Sequence, residues 1–168
     1  MFKVIVLSIT TLLLVGCVSK EVKNETTHKA KIKMFQTVEK KDATLVQEGK
    51  NKIHCVNCGM NLVMFYKTSH VASTEDKTNQ YCSIHCLADH LNEGYEFKNP
   101  KVVDVTSLKL ISVLDAYYVV GSSVRGTMSR TSKYAFKSLK DAEDFQKKYG
   151  GKILDFNAAL EITQKDFR

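Results

Sequence analysis

Hydrophobic positions along the chain fall into short alternating runs that twice give way to a run of helical period. From Leu62 to Ser73 the stretch LVMFYKTSHVAS is aromatic and β-branched, TEDKTNQ supplies turn-type polar residues, and QYCS resumes as a second short run. Such runs around a polar turn predict a β-hairpin. In SIHCLADHLNEG, Ile84, Leu87 and Leu91 recur at helical spacing, Ser83 stands at the cap position and Gly94 ends the pattern, which predicts a helix.

The second half repeats this order. VDVTSLKLISV and DAYYVVG read as strands, SSVRGTMSRTS as a long polar loop and YAFKS as a further strand. The helix predicted over SLKDAEDFQKKYGG is capped by Ser138, carries Ala142, Phe145 and Tyr149 on its apolar stripe, and is stopped by Gly150 and Gly151. QYCS aligns with KYAFKS, so the pattern is a degenerate internal duplication with cysteines only in the first copy. A strand KILDF and a C-terminal helix NAALEITQKDF close the chain. The expected fold class is α+β: two repeated ββα units, residues 51–95 and 101–156, whose antiparallel hairpins are covered by helices within a domain of residues 51–168.

The first 50 residues read differently. Lys3 is a short positive region, Val4 to Val15 is apolar, and Leu14, Val15, Gly16 and Cys17 resemble a lipobox. The apolar run is shorter than the roughly 20 residues that span a bilayer. Residues 1–16 are therefore expected to be a signal peptide, with Cys17 the lipidated first residue of a bacterial lipoprotein. Residues 17–50, rich in Lys, Glu, Thr and Asn, are expected to form a mostly flexible tether, within which KMFQTVEK has the character of a short packed piece.

Composition adds little: of 168 residues, 43% are hydrophobic and 26% charged, as in an ordinary globular protein, and no enzyme class follows. The net charge of +7 is dispersed, with no basic stripe interleaved with aromatics, so nucleic acid is not expected as a partner.

After export, Cys55, Cys58, Cys82 and Cys86 need a purpose. The first two lie in a turn before the first strand, and the second two where a strand runs into a helix. Cysteines four apart lie on one face of the first helical turn, where the helix N-terminus favours thiolate. Structural zinc, disulfides and a softer metal all remain open for these four sulfurs. Met60, just beyond Cys58, points to the soft metal, because thioethers serve Cu(I) and not zinc. A thiol oxidoreductase built on Cys55 and Cys58 is disfavoured: the pair precedes a strand, and no βαβ pattern surrounds it.

Other residues are weighed by context. His54 and His85 adjoin cysteines and are of a type that completes copper or zinc shells, although a histidine there is more often solvated. His70 and His90 are weaker candidates. Met64 is expected in the core, Met34 has no assigned role, and the aromatics Tyr117, Tyr118, Phe136, Phe145 and Tyr149 read as core.

The segments CVNCGMNLVMF, YCSIHCL, AYYVVGSSVRGTMSRTSKYAF and FQKKYGGKILDF resemble the NosL family of nitrous oxide reductase accessory lipoproteins, over roughly residues 52–156. The resemblance implies a Cu(I)-binding chaperone of paired ββα units, without catalytic turnover. It would be lipid-anchored at the periplasmic face of a bacterial membrane and deliver copper for assembly of the reductase's copper centres, with a membrane transporter complex as partner. Val18 after the lipidated cysteine favours the outer membrane weakly. The family's CGM motif implies Cys58 as a thiolate ligand and Met60 as a thioether, and its glycine-flanked loop methionine implies Met128. Cys82 and Cys86, with His85 between them, depart from many relatives. They leave open whether Cys55, Cys82 and Cys86 form a second metal site, extend the copper site or pair oxidatively.

Overall fold

The computed structural model describes residues 34–167; the expected signal peptide and Cys17 lie outside them. Among the described residues seven strands form two antiparallel sheets. In the first, the order is β2 (Thr78–Tyr81), β1 (His70–Ser73), β3 (Lys98–Val103), β4 (Leu110–Ser112). In the second it is β6 (Lys133–Phe136), β5 (Tyr117–Val120), β7 (Lys152–Leu154). Helix α1 (Ile84–Asn92) follows β2, α2 (Leu139–Tyr149) follows β6 and α3 (Phe156–Lys165) follows β7. Among the described residues no helix is long and apolar enough to cross a membrane.

The two halves share a topology. In each, a hairpin leads into a helix, and the strand after the helix pairs on the free edge of the hairpin's first strand, giving β2-β1-β3 and β6-β5-β7. The α+β fold of paired hairpins and helices therefore stands, each repeat gaining a third strand. Both helices begin at the expected serines: Ser83 accepts from the Cys86 N–H and Ser138 from the Asp141 N–H. The chain leaves α2 through Gly150 and Gly151, both at positive φ. A side chain on Gly151 would meet the Val120 carbonyl at 2.8 Å, so the return into β7 needs glycine.

Three expectations are corrected. The run from Leu62 is not one strand: the Asn61 side chain accepts from the Val63 and Met64 N–H groups, and a 3-10 turn covers Tyr66–Thr68, leaving only His70–Ser73 in the sheet. Met64 is consequently exposed rather than in the core. The run VDVTSLKLISV is also broken, because the Asp104 carboxylate accepts from the Ser107 N–H and hydroxyl, and its two ends become β3 and β4 of the first sheet. Finally, residues 34–46, assigned to the tether, pack on the body. Val38 is buried beside Tyr66 and Val103, Phe35 meets Tyr134 edge-on at 5.3 Å, and the side chain of buried Gln80 pairs with the backbone of Thr44 and Val46.

The main core lies between the first sheet, α1, α3 and strand β5, and includes Leu62, Tyr81, Leu87, Val102, Tyr118 and Ala159 together with Cys55, Cys82 and Cys86. A second cluster, built on Val119, Tyr134, Phe136 and Phe145, lies under α2. The sheets are fastened by a bridge between Asp104 and Ala135, where the Val105 N–H donates to the Ala135 carbonyl at 2.9 Å.

Candidate metal centre

CVNCGM folds as a tight backbone knuckle. Its stem closes through Leu62 N–H to Ile53 carbonyl at 2.9 Å and Cys55 N–H to Met60 carbonyl at 2.8 Å. At its tip, Gly59 takes φ +73° and its N–H donates to the Cys55 carbonyl at 2.9 Å. A left-handed residue lets the chain reverse within this short span, which accounts for glycine before Met60. Two bonds hold the knuckle against the cysteines that follow: Val56 N–H to the Gln80 carbonyl of β2 at 3.1 Å, and Asn57 Nδ2 to the Asp89 carboxylate of α1 at 2.9 Å.

The consequence is convergence of four sulfurs. Cys58 Sγ lies 3.5 Å from Cys82 Sγ, which lies 3.6 Å from Cys86 Sγ, and all four Sγ atoms, with Cys55, are within 4.8 Å of one another. None forms a disulfide. Four sulfurs around one ion at about 2.3 Å would stand ~3.8 Å apart in a tetrahedron, so the group is compact enough to close on a single ion. Cys55, Cys82 and Cys86 are buried, and Cys58 alone is partly open to solvent.

The buried thiols differ in acidity. Cys55 is pulled far below the usual thiol range because Cys82, then Cys86, donate to its sulfur, aided by the backbone N–H groups of Cys58 and Cys82 against the cost of burial. Cys82 and Cys86 are pushed up, first by the hydrogen bonds they donate to Cys55, which hold their protons in place. A thiolate is the form that binds metal, so Cys55 is ready for an incoming cation and each further ligand must release its proton.

The methionines are placed differently. Met60 is half-buried against the core cluster that contains Cys55, Cys82 and Cys86, immediately beyond the knuckle. Met128 is 45% exposed and takes φ +61°, a conformation uncommon outside glycine. Its loop is nevertheless firmly built. A Cβ on Gly126 would fall 2.9 Å from Ser132 Cα, the Arg125 carbonyl accepts from Tyr134 Oη at 2.6 Å, and Gln36 Nε2 bonds the same carbonyl. Within a loop expected only to be polar and long, Thr127 is buried: its hydroxyl lies 2.8 Å from Thr68 Oγ1, which also lies 2.8 Å from the Cys82 carbonyl. The single proton of the Thr68 hydroxyl is shared among the Cys82 carbonyl, the Thr127 hydroxyl and, at 3.0 Å, the Phe65 carbonyl, and so joins the residue beside Met128 to the cysteine centre.

The histidines separate. His70 is wholly buried, donating through Nδ1 to the Thr68 carbonyl at 3.0 Å and accepting through Nε2 from Tyr118 Oη at 3.1 Å; burial lowers its pKa to about 4. His90 bonds Tyr81 Oη and stacks on Tyr95. His54 lines an open groove of about 540 Å³ beside Cys55. His85 stacks on Phe167 at 4.2 Å, and burial holds its pKa below the usual value. Thr68, Thr127, Asn57 and Gln80 were not legible as supports of the site. Single polar residues in turns and strands carry no periodic signal, and only their buried side chains disclose their role.

A family model described as NosL matches residues 46–165. A crystal structure of the copper chaperone NosL from Shewanella denitrificans is 29% identical and aligns with 62% of this chain and 87% of that one, at a TM-score of 0.51. No curated protein sequence matches the chain.

Proposed function

The chain belongs to the NosL family, and from that premise we propose that it binds Cu(I) at the four-cysteine centre and delivers the ion for assembly of the copper centres of nitrous oxide reductase. The observation that carries the reading is the sulfur group itself: four thiols within 4.8 Å of one another, one of them partly open, with the thioether of Met60 two residues after it. Thiolate and thioether together are the donor set of a soft monovalent ion. The ion is cargo rather than a resident cofactor, and the site has the features a carrier needs. Cys55, held as thiolate, attracts the cation. Cys82 and Cys86, buried at the start of α1, exclude water and other oxygen donors. Cys58, at the partly open edge, is where an acceptor's donor atom can enter.

In this reading Met60 and Met128 are auxiliary thioethers, Cys17 carries the lipid anchor, and the protein works at the periplasmic face of a bacterial membrane, passing copper to a membrane transporter complex. Retention of zinc is the competing use of the centre, because four thiols within 4.8 Å of one another also suit a closed tetrahedral ion. Metal analysis of protein purified without oxygen separates the two. Competition against a chromogenic Cu(I) chelator should show tight uptake of Cu(I) that weakens at least about tenfold in Cys58→Ser. Tightly held zinc that Cu(I) does not displace, or an unchanged affinity in the variant, refutes the carrier reading.

A further inference from the structure

The four cysteines differ in what can reach them. Cys55, Cys82 and Cys86 are 3%, 0% and 0% exposed, whereas Cys58, at the tip of the knuckle, is partly open. Space continues outward from it: the open groove beside Cys55 runs along Val56 and Gly59, which flank Cys58 in the chain, and a Cβ on Gly59 would meet nothing within 4 Å. A small disulfide in solution can therefore approach the centre at Cys58 and not at the three sulfurs behind it.

Behind Cys58, the sulfur of Cys82 lies 3.5 Å away and 24 positions on. Its residue is held on both sides: the Cys82 carbonyl meets Thr68 Oγ1 at 2.8 Å, and the next residue, Ser83, caps α1. The knuckle is fastened to the body on Val56 and Asn57, just before its tip. Closing from 3.5 Å to the ~2 Å of a disulfide asks for a shift of ~1.5 Å, within reach of side-chain rotation at a partly open turn. Cys82 and Cys86 are equally close, at 3.6 Å, but both are shut in. Outside the cytoplasm, where the export signal is expected to send the chain, thiols this close meet oxidants.

We propose that Cys58 and Cys82 close to a disulfide when the centre holds no ion, so that a dithiol–disulfide exchange must reduce this bond before the centre can be loaded. The Cys58 thiolate attacks one sulfur of a small disulfide and displaces its other half as a thiolate; Cys82 then attacks the Cys58 sulfur and displaces the second half. Cys58 and Cys82 together give up two electrons and two protons, and the small disulfide gains them as two thiols. The bond removes the ligand at the open edge and one buried ligand at once, and leaves Cys55 and Cys86 behind it. A bound soft cation occupies the same sulfurs and blocks the exchange. Formation of the bond does not depend on which ion the centre takes; its role as a gate to loading rests on the copper reading above.

The reduced full chain, incubated without oxygen at defined ratios of glutathione disulfide to glutathione, then alkylated and digested, tests it. The product should have two fewer thiols open to alkylation and one linked peptide pair, joining Cys58 to Cys82. Cys58→Ser should form any internal disulfide at least about tenfold more slowly, while Cys86→Ala should still form the bond between Cys58 and Cys82. Against a chromogenic Cu(I) chelator, the oxidised chain should bind at least about tenfold more weakly than the reduced one, and should recover after treatment with dithiothreitol and its removal. A link between Cys82 and Cys86, or four thiols still free at a ratio that oxidises an exposed dithiol, overturns the disulfide. Equal Cu(I) affinity in the oxidised and reduced chains overturns the gate. If the bond forms but neither chain takes up Cu(I), the copper reading and the gate fail together and the bond alone stands.

Discussion

Thr68→Val is the sharpest probe of how the loop and the metal centre are joined. Valine has nearly the shape of threonine, so packing around the buried residue is kept and only the hydroxyl is lost. That hydroxyl lies 3.0 Å from the Phe65 carbonyl, which the Thr68 N–H also bonds, and serves two buried partners that have no such second bond to Thr68, the Cys82 carbonyl and the Thr127 hydroxyl, each at 2.8 Å. Leaving a buried polar group unsatisfied costs about 1–3 kcal/mol, so the two together predict a loss of about 2–4 kcal/mol. For a folded body of this size that corresponds to a fall in Tm of ~10 °C. Urea and thermal unfolding of the metal-free protein measure it, and a double-mutant cycle isolates the pair. Thr68→Val with Thr127→Val should cost clearly less than the sum of the single changes, because removing both hydroxyls leaves no widowed partner between them. A single-variant loss under about 0.5 kcal/mol, or strict additivity in the cycle, would refute the reasoning.

Further predictions concern groups away from the sulfurs. His70 has a folded pKa of about 4 against an ordinary 6.5, so the unfolded chain takes up its proton first as pH falls; stability from this group is complete above about pH 6.5 and is lost progressively toward pH 4, by about 3 kcal/mol. Urea midpoints at pH 7 and pH 4.5 should therefore differ more in the native protein than in His70→Gln, and equal differences would exclude His70 as the source. Phe35→Ala should cost about 2 kcal/mol, since its ring meets Tyr134, Phe145 and Tyr149 and lies under the Lys67 ammonium; a neutral change would return this stretch to the status of a tether. Ser83→Ala, which removes the cap at the start of α1, should cost about 1 kcal/mol, read by thermal unfolding.

The parts of the fold legible in the sequence were those set by short-range physics. Ser83 and Ser138 mark helix starts because an orphan N–H needs a nearby acceptor, and Ile84, Leu87 and Leu91 mark a helix face because of its period. The convergence of the four cysteines was also legible, since a turn, a hairpin and a helix start leave them little else to do. What was hidden depended on partners far along the chain. LVMFYKT has the composition of a strand, but Asn61 diverts its backbone into turns. Residues 34–46 look like tether until Gln80 and Tyr66, some thirty and twenty positions on, supply the groups that hold Val46 and Thr44. The support of Met128 by Thr127 and Thr68 was invisible for the same reason.

The bridge between Asp104 and Ala135 reaches beyond architecture. It welds two units of like topology into one body, and α3, at the end of the second, packs back on α1 of the first. Neither half is then a self-sufficient fragment. An ion captured in one copy should slow amide exchange in the other, so that cargo status is felt across the whole molecule, including surfaces far from any sulfur.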